Sequence, residues 1–298
     1  MLGWRLTISA ILIPTLLLLF RWDASLGKGA PVLLVMALLL TIRGSYEMCH
    51  LLQTRNFRPS FEVTAACNVT VLLAAWAHAR MTGVPDGRLG LLVSLGLIAA
   101  ALFASLLVLL LLEACRYRKP GQSMESLSAN LLTVVYAGGL LAVLAQFRWF
   151  PGEALGYFAI GSVIISVKSG DVMAYTFGRL WGKRKMVPTL SPGKTWMGGM
   201  GAIVGSCLGA WLWLSFGGRL FAASPVVTSL ECVFAYGATM GVVGLIGDLC
   251  ESLIKRDCEK KDSAQLLPGF GGLLDLLDSP LFAAPVALAW WALWPPAM

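Results

Sequence analysis

The residue types that could carry chemistry gather in one stretch, residues 248–278. Asp248, Ser252 and Lys255 stand at positions i, i+4 and i+7, so a helix would present them on one face, with Glu251 beside them. A cationic turn follows, and it holds four basic residues: Lys255, Arg256, Lys260 and Lys261. Carboxylates this close to cations predict a site that binds both a metal ion and an anion.

The second half of the stretch adds two carboxylates behind a glycine-rich break. A second helix is predicted after Gly272, and it carries Asp275 and Asp278 one turn apart. Carboxylate oxygens suit Mg²⁺, which shares its coordination shell with substrate phosphates. An ordinary solvated loop between two helices is the alternative interpretation. The hydrophobic setting of the stretch favours the site for a divalent cation and a polyphosphate.

The composition places this stretch in a membrane protein. Of the 298 residues, 57% are hydrophobic and 13% are charged, whereas a soluble domain carries roughly 25% charged residues. Residues 89–112 and 196–218 are uncharged runs of 24 and 23 residues, and about 20 apolar residues span the hydrocarbon core of a bilayer. We therefore predict an all-α integral membrane protein, folded as a polytopic helical bundle.

The apolar runs predict about nine transmembrane helices. They lie near residues 6–20, 31–47, 62–79, 89–112, 126–147, 153–170, 196–218, 231–254 and 279–297. If the amino terminus faces the cytoplasm, 17 of the 23 Lys and Arg residues fall in inner segments and six in outer segments, as the positive-inside rule requires. This orientation puts the active site on the cytoplasmic side.

The predicted organisation is one membrane domain in two regions. Residues 1–120 form the N-terminal region of about four spans. Residues 121–298 form the catalytic region, whose cytoplasmic loops are residues 171–195 and 255–278. No separate soluble domain is predicted.

The cysteines, histidines and net charge do not indicate a disulfide framework, a zinc site or a nucleic-acid site. The seven cysteines are odd in number and have no CxxC spacing, so neither a disulfide framework nor a zinc site is indicated. The two histidines, His50 and His78, lie in separate early segments. The net charge of +7 would suit nucleic acid, but topology and anionic lipid headgroups already account for basic loops in a membrane protein. No nucleic-acid partner is predicted.

A second polar stretch, residues 171–195, begins with Asp171 at the end of an apolar run, where an ionisable residue is costly and usually functional. Ser191-Pro-Gly-Lys194-Thr195 precedes a predicted helix, whose free N–H groups and dipole favour an anion. It is not a Walker A loop, because no glycine stands five residues before Gly193 and no strand is predicted before it. Four cations lie between Asp171 and this motif. They can be explained equally well by a role in the site or by the excess of basic residues in cytoplasmic loops: Arg179, Lys183, Arg184 and Lys185.

Together these residues resemble the signature of the phosphatidate cytidylyltransferases, the CDP-diacylglycerol synthases. The matching segments are Ser252-Leu-Ile-Lys255-Arg256, Lys261-Asp262-Ser263, Pro268-Gly269-Phe270-Gly271-Gly272, Asp275 and Asp278. A preceding region of that family is matched by Asp171, Ala174-Tyr175, Gly178 and Ser191-Pro-Gly-Lys194-Thr195-Trp196. The spacing fits throughout roughly residues 165–285. The first half of the chain is similar only in its hydrophobic profile.

The resemblance implies an enzyme of phospholipid biosynthesis in the bacterial plasma (inner) membrane. It would join CTP and phosphatidate into CDP-diacylglycerol and pyrophosphate with Mg²⁺, and it leaves open a second cation and a homodimer. The implied catalytic residues are Asp248, Lys255, Arg256 and Asp275. The implied metal ligands are Asp248 and Asp275, then Asp278 and Asp262. The implied substrate-binding residues are Asp171, Ser191, Lys194, Ser252, Lys261, Gly271 and Gly272.

The chemistry of the implied substrate agrees with the scarcity of histidine. A phosphate monoester has a second pKa near 6, so phosphatidate is largely a dianion at neutral pH and can act as its own nucleophile. Catalysis then rests on positioning and on neutralising charge at the α-phosphate and the departing pyrophosphate. For Asp171 and Ser252, hydrogen bonding between helices is an alternative to a role in the site.

Other functions stay open at this point. Phe270 stands where the family generally has His, and Leu276 where it has Arg, and these departures are the only support for an inactive scaffold. A CTP-dependent kinase or cytidylyltransferase acting on a polyprenol or an ether lipid is the closest alternative enzyme. A transporter would place charges in the middle of its spans and repeat its topology. Here the charges gather at span ends and no repeat is evident.

Overall fold

The computed structural model describes residues 2–55, 57–81, 87–118, 120–152, 155–221, 227–266 and 271–297, with side chains from residue 11 onward. Its α-helices are α1 Leu2–Ser25, α2 Pro31–Gln53, α3 Phe61–Ala77, α4 Arg88–Arg116, α5 Ser123–Thr133, α6 Leu140–Ala145, α7 Gly156–Trp181, α8 Trp196–Phe216, α9 Leu230–Asp257 and α10 Leu273–Leu293. A π-helical segment, Val134–Gly139, joins α5 to α6. Two antiparallel strands, β1 Lys185–Val187 and β2 Ser191–Thr195, form a hairpin.

The helices confirm the predicted class. Within the described residues, eight helical segments are long and apolar enough to cross a membrane: Pro31–Gln53, Phe61–Arg80, Arg88–Arg116, Ser123–Arg148, Gly156–Trp181, Trp196–Phe221, Leu230–Asp257 and Leu273–Leu293. The first predicted span, residues 6–20, falls within α1, and each of the other eight overlaps one of these segments. The chain is an all-α polytopic membrane protein.

The chain divides into two compact units. The first comprises Met1–Gln146 and Asp257–Leu276, and the second comprises Phe147–Arg256 and Leu277–Met298. The boundary between Leu276 and Leu277 falls inside α10, so Asp275 belongs to the first unit and Asp278 to the second. The predicted functional division near residue 120 stays a prediction.

Two local features differ from the sequence predictions. Helix α7 continues to Trp181, so the first part of the predicted loop 171–195 is helical and Asp171 lies inside a helix. The helix ends where Gly182 follows Trp181. The hairpin that comes next was not predicted, because strands of three and five residues show no clear alternation and Pro192 is unusual in a strand. Strand β1 therefore precedes the Gly-Lys-Thr motif, although the missing glycine still excludes a Walker A loop.

Small residues let the helices of the second unit approach closely. A Cβ atom at Gly205 or Gly209 of α8 would collide with Met173 or Ser169 of α7. A Cβ atom at Gly247 of α9 would lie 2.6 Å from the Cβ of Phe282 on α10. Inside a bilayer the hydrophobic effect does not drive helices together, and close van der Waals packing at small residues does so instead. The close contact at Gly247 brings α9 and α10 together beside Asp248 and Asp278.

In the first unit, a carboxylate fixes the start of α2. Asp23 Oδ1 accepts a hydrogen bond from the Val32 amide at 2.8 Å, and Asp23 Oδ2 accepts one from the Leu33 amide at 3.3 Å. The side chain is buried. It satisfies backbone donors that the first turn of a helix leaves without helical partners.

Candidate active site

Three acidic side chains meet in the second unit. Asp248 and Glu251 lie on α9, Asp278 lies on α10, and one carboxylate oxygen from each falls within 4.8 Å of the others. Glu251 and Asp278 are buried, whereas Asp248 is partly exposed. Three negative oxygens this close repel one another, and a cation with oxygen ligands relieves that repulsion. The donor set therefore fits the predicted divalent cation.

Each of these carboxylates lies within ion-pair distance of a lysine. Lys194 Nζ lies 2.9 Å from Asp248 Oδ2, Lys255 pairs with Glu251, and Lys168 Nζ lies 3.9 Å from Asp278 Oδ1. Lys194 and Lys255 are largely buried, at 15% and 11% side-chain exposure. The site thus combines metal-binding oxygens with cations that can hold phosphate oxygens.

The hairpin positions Lys194 for this pairing. Lys194 lies on β2, and its ammonium also donates to the Leu245 carbonyl of α9 at 3.4 Å. The next residue, Thr195, caps α8 by accepting a hydrogen bond from the Gly198 amide at 3.1 Å. The predicted helix start directly after the Gly-Lys-Thr motif is therefore present. Ser191 lies at the other end of β2 and is partly buried.

Lys168 is a candidate site residue that the sequence analysis missed. Its ammonium donates to Asp171 Oδ2 at 2.9 Å, and both side chains are about one third exposed. Both residues lie in the helix α7, which is long and apolar enough to cross a membrane, and ionisable groups in such helices usually serve a function. The pair connects Asp171 to the acidic group through Lys168 and Asp278. The available signal was the spacing of three residues between Lys168 and Asp171, which places them on one helix face.

We expect Lys168→Met to lower turnover about 10- to 100-fold, the range for groups that orient metal ligands. Methionine keeps the length and apolar stem of lysine but leaves Asp171 and Asp278 without the ammonium between them. The measurement is the turnover of purified protein at saturating substrates. Lys183→Met is the matched control, because Lys183 is exposed and forms no ion pair with the described part of the chain. Equal turnover in wild type and Lys168→Met would remove Lys168 from the site.

The remaining predicted residues of α9 line the same helix. Ser252 Oγ donates to Asp248 Oδ1 at 3.5 Å, a long hydrogen bond within one helix turn. Arg256 Nε donates to the Leu190 carbonyl at 3.4 Å, beside the hairpin. The predicted helix through Asp248, Ser252 and Lys255 is therefore present, and the structure brings all three to the acidic group or its immediate partners.

Asp275 lies in the first unit, where it organises the loop before α10. Its Oδ2 accepts hydrogen bonds from the Ser263 amide at 2.9 Å, from Ser263 Oγ at 2.9 Å and from the Gly272 amide at 2.7 Å. Gly271 has a φ of +91° and a Cβ atom there would strike the Asp275 carboxylate, so this position requires glycine. The role of Asp275 as a metal ligand stays a prediction.

The rest of the loop contributes exposed groups. Lys261 and Asp262 are both exposed, and their predicted roles toward phosphate and metal stay predictions. Gly272 is buried. Phe270, together with Pro268 and Gly269 of the signature, lies outside the described residues.

Glu47 of α2 is a second residue that the sequence analysis missed. The side chain is fully buried, and its Oε2 accepts hydrogen bonds from Ser263 Oγ at 3.2 Å and from the Leu274 amide at 3.0 Å. Its Oε1 accepts from Arg43 Nε at 2.9 Å. No signal in the sequence pointed to Glu47, because it is 216 residues away from Ser263 in the chain.

Comparison with protein families gives a match along nearly the whole chain. A model of the cytidylyltransferase family matches residues 4–294. The match includes every element that carries the acidic group and the lysines around it. It also includes α2 and Glu47, which lie in the half of the chain where only the hydrophobic profile suggested a relationship.

Individual relatives are similar to different extents. The phosphatidate cytidylyltransferase of Pseudomonas aeruginosa is 32% identical over 247 residues, which cover 75% of this chain and 86% of that protein. The phosphatidate cytidylyltransferase of Haemophilus influenzae is 32% identical over 183 residues, covering 61% of this chain and 62% of that protein. The uncharacterised protein YnbB of Escherichia coli is 40% identical over 121 residues, covering 40% of this chain and 37% of that protein. The chain thus spans less than two thirds of the length of the last two relatives.

Proposed function

This chain belongs to the cytidylyltransferase family, and from that premise we propose that it is a phosphatidate cytidylyltransferase. The reaction joins CTP and phosphatidate into CDP-diacylglycerol and releases pyrophosphate. The observation that carries the proposal is the group of Asp248, Glu251 and Asp278, each within ion-pair distance of a lysine. Two relatives that match the chain bear the name of this enzyme.

Asp248, Glu251 and Asp278 would hold Mg²⁺. When bound, Mg²⁺ supplies positive charge to the α-phosphate and to the departing pyrophosphate. The three carboxylates sit on two helices that pack through Gly247, so their spacing is set by the protein before substrate arrives. Since Glu251 and Asp278 are buried, the surrounding protein excludes water that would otherwise weaken their hold on the ion.

The lysines would hold phosphate oxygens. Lys194 and Lys255 lie on the hairpin and on α9, on elements that also carry or contact the acidic group. When the carboxylates bind a cation, they no longer need the ammonium groups as their counter-charges. Lys194, Lys255 and Lys168 can then donate to the triphosphate of CTP and to the phosphate of the lipid. Arg256, at the end of α9, is placed to add a further charge-assisted contact.

The lipid phosphate itself would be the nucleophile. A phosphate monoester is largely dianionic at neutral pH, so an oxygen of phosphatidate can attack the α-phosphorus of CTP without a protein base. The bond from the α-phosphorus to the bridging oxygen breaks, and pyrophosphate leaves with the electron pair. The protein's part is to align the two phosphates and to offset their repulsion. The absence of histidine from the predicted site agrees with this mechanism.

Position of the label distinguishes this reaction from its closest alternative. Purified protein is incubated with phosphatidate and Mg²⁺ and with CTP labelled either at the α-phosphate or at the γ-phosphate. The expected result is α-label in the lipid product, γ-label in pyrophosphate, and no reaction when Mg²⁺ is chelated. Transfer of the γ-label to lipid would identify a kinase. Polyprenol, polyprenol phosphate and an ether analogue of phosphatidate are the comparison acceptors. An inactive protein under all conditions would support a scaffold.

We propose that the enzyme lies in the bacterial plasma membrane with its active site facing the cytoplasm, where CTP is made. The distribution of Lys and Arg residues supports this orientation. Single cysteines replacing Lys183 and Lys260, in a variant without native cysteines, are expected to react with a membrane-impermeant thiol reagent only from the cytoplasmic face. Labelling of either position from the periplasmic face of intact cells would contradict the orientation.

A further inference from the structure

We propose that Glu47 is a positioning residue for the reaction: it anchors the loop between α9 and α10 and so sets the place of Asp275. The inference rests on the proposed function, because Asp275 is one of the carboxylates expected to act on the substrates or the metal. All of the contacts that carry it lie within the first unit. They tie α2, in the first fifth of the chain, to a loop close to its end.

The Glu47 carboxylate uses both oxygens. Oε1 accepts a hydrogen bond at 2.9 Å from Nε of Arg43, which lies one turn earlier on α2. Oε2 accepts hydrogen bonds from Ser263 Oγ at 3.2 Å and from the Leu274 amide at 3.0 Å. Leu274 lies in the first turn of α10, where backbone N–H groups have no partner within the helix. Glu47 therefore supplies from another helix the acceptor that a capping residue ordinarily supplies.

Ser263 joins the two carboxylates. Its hydroxyl lies 3.2 Å from Glu47 Oε2 and 2.9 Å from Asp275 Oδ2, and its amide donates to Asp275 Oδ2 at 2.9 Å. The hydroxyl has one proton, and two carboxylate oxygens compete for it. If Glu47 moves, the hydrogen bond from the Ser263 hydroxyl to Asp275 changes in length and strength. The position of one carboxylate is therefore coupled to that of the other.

The two residues that follow α2 add contacts to the same segment. Thr54 Oγ1 donates to the Cys258 carbonyl at 3.1 Å, and Arg55 pairs with Asp257 at 3.2 Å. These two contacts are exposed or partly buried, whereas Glu47 is fully buried. Ion pairs in contact with water contribute little. Glu47 is thus the anchor on which the placement of the loop depends.

The experiment compares substitutions at Glu47 with the same substitutions at Glu62, an exposed glutamate of the neighbouring helix α3. Glu47→Ala is expected to lower kcat about 10- to 100-fold, the range typical of groups that orient metal ligands, with a change in the KM for CTP below about threefold. Glu47→Gln keeps an acceptor oxygen and the side-chain shape, so it is expected to retain more activity than Glu47→Ala. Glu62→Ala and Glu62→Gln are expected to match wild type.

A double-mutant cycle tests whether Glu47 acts through the serine. If it does, the effects of Ser263→Ala and Glu47→Ala on kcat are coupled. Glu47→Ala then lowers kcat far less in the Ser263→Ala variant than it does in wild type. Multiplicative losses in the double variant would show that Glu47 acts elsewhere and would overturn the proposal. Wild-type kcat in Glu47→Ala would overturn it as well, as would a loss of kcat that merely follows a lower thermal unfolding temperature.

Hydrogen exchange provides a readout that does not depend on activity. In wild type, the amides of Ser263, Gly272 and Leu274 donate to carboxylates, so they should exchange slowly. Glu47→Ala is expected to accelerate the exchange of these three amides at least tenfold, while Glu62→Ala leaves it unchanged. Absence of cytidylyl transfer by wild type would count against the proposed function alone. Unchanged exchange in Glu47→Ala would count against the anchor whatever reaction the protein performs.

Discussion

Asp248→Asn is expected to lower turnover about a thousandfold, roughly 4 kcal/mol in the barrier and the upper end of what one preorganised group contributes. Asparagine has nearly the shape of aspartate but carries no negative charge. The substitution removes one of three oxygens that approach within 4.8 Å of one another, and it removes the partner of Lys194 at 2.9 Å. Both the hold on the cation and the placement of a phosphate-binding lysine would suffer.

The measurement is initial rates with labelled CTP at rising Mg²⁺, together with the yield and thermal unfolding of the purified variant. The matched control is Asp257→Asn on the same helix, because Asp257 is 55% exposed and its ion pair with Arg55 lies at the surface. We expect the control to keep most of its activity. Near-normal turnover of Asp248→Asn would remove this residue from the metal site and leave Glu251 and Asp278 as the carboxylates to test.

Asp275→Asn is expected to cost a similar factor, about a thousandfold. The reason is partly different, because Asp275 Oδ2 accepts three hydrogen bonds that arrange the loop before α10. Hydrogen bonds to an ionised group are about twice as strong as neutral ones. An asparagine oxygen in the same place can accept these hydrogen bonds, but as a neutral acceptor it holds them more weakly than the carboxylate does.

The dependence on Mg²⁺ separates the two roles of Asp275. If it is a ligand, the Mg²⁺ concentration that gives half-maximal rate rises in Asp275→Asn. If it only arranges the loop, that concentration stays at the wild-type value while turnover falls. Asp23→Asn is the control for loss of a backbone-capping carboxylate, since Asp23 accepts two amide hydrogen bonds at the start of α2. Full activity in Asp275→Asn would exclude both roles.

Sequence reasoning predicted the local geometry of the candidate site where periodicity determined it. The spacing of Asp248, Ser252 and Lys255 required a helix to bring them to one face, and α9 does so. The start of α8 after Thr195 followed from the uncharged run of residues 196–218, and in the structure Thr195 caps this helix by accepting a hydrogen bond from the Gly198 amide. Both inferences depend on a continuous segment of the chain, where geometry follows from chain order.

Other parts of the site depend on tertiary packing, which chain order does not encode. Lys168 has no distinctive neighbours in sequence except Asp171, and its approach to Asp278 depends on how α7 and α10 pack. Glu47 lies at the end of the predicted span 31–47, where it could equally have been an ordinary polar residue at a span end. The hairpin was missed because its strands are too short to show a period.

The contact between Glu47 and Leu274 can form only late in the synthesis of the protein. The two residues are 227 positions apart, and at about 5–20 residues per second the ribosome needs roughly 10–45 s to make the intervening chain. During that interval Glu47 already sits in a helix long and apolar enough to enter the bilayer, where an isolated charge costs up to about 3 kcal/mol at the middle of a span. Arg43, one turn earlier, can neutralise it at once, because this ion pair needs only α2 to form. Removing Arg43 should therefore slow insertion of the nascent protein before it affects the finished enzyme.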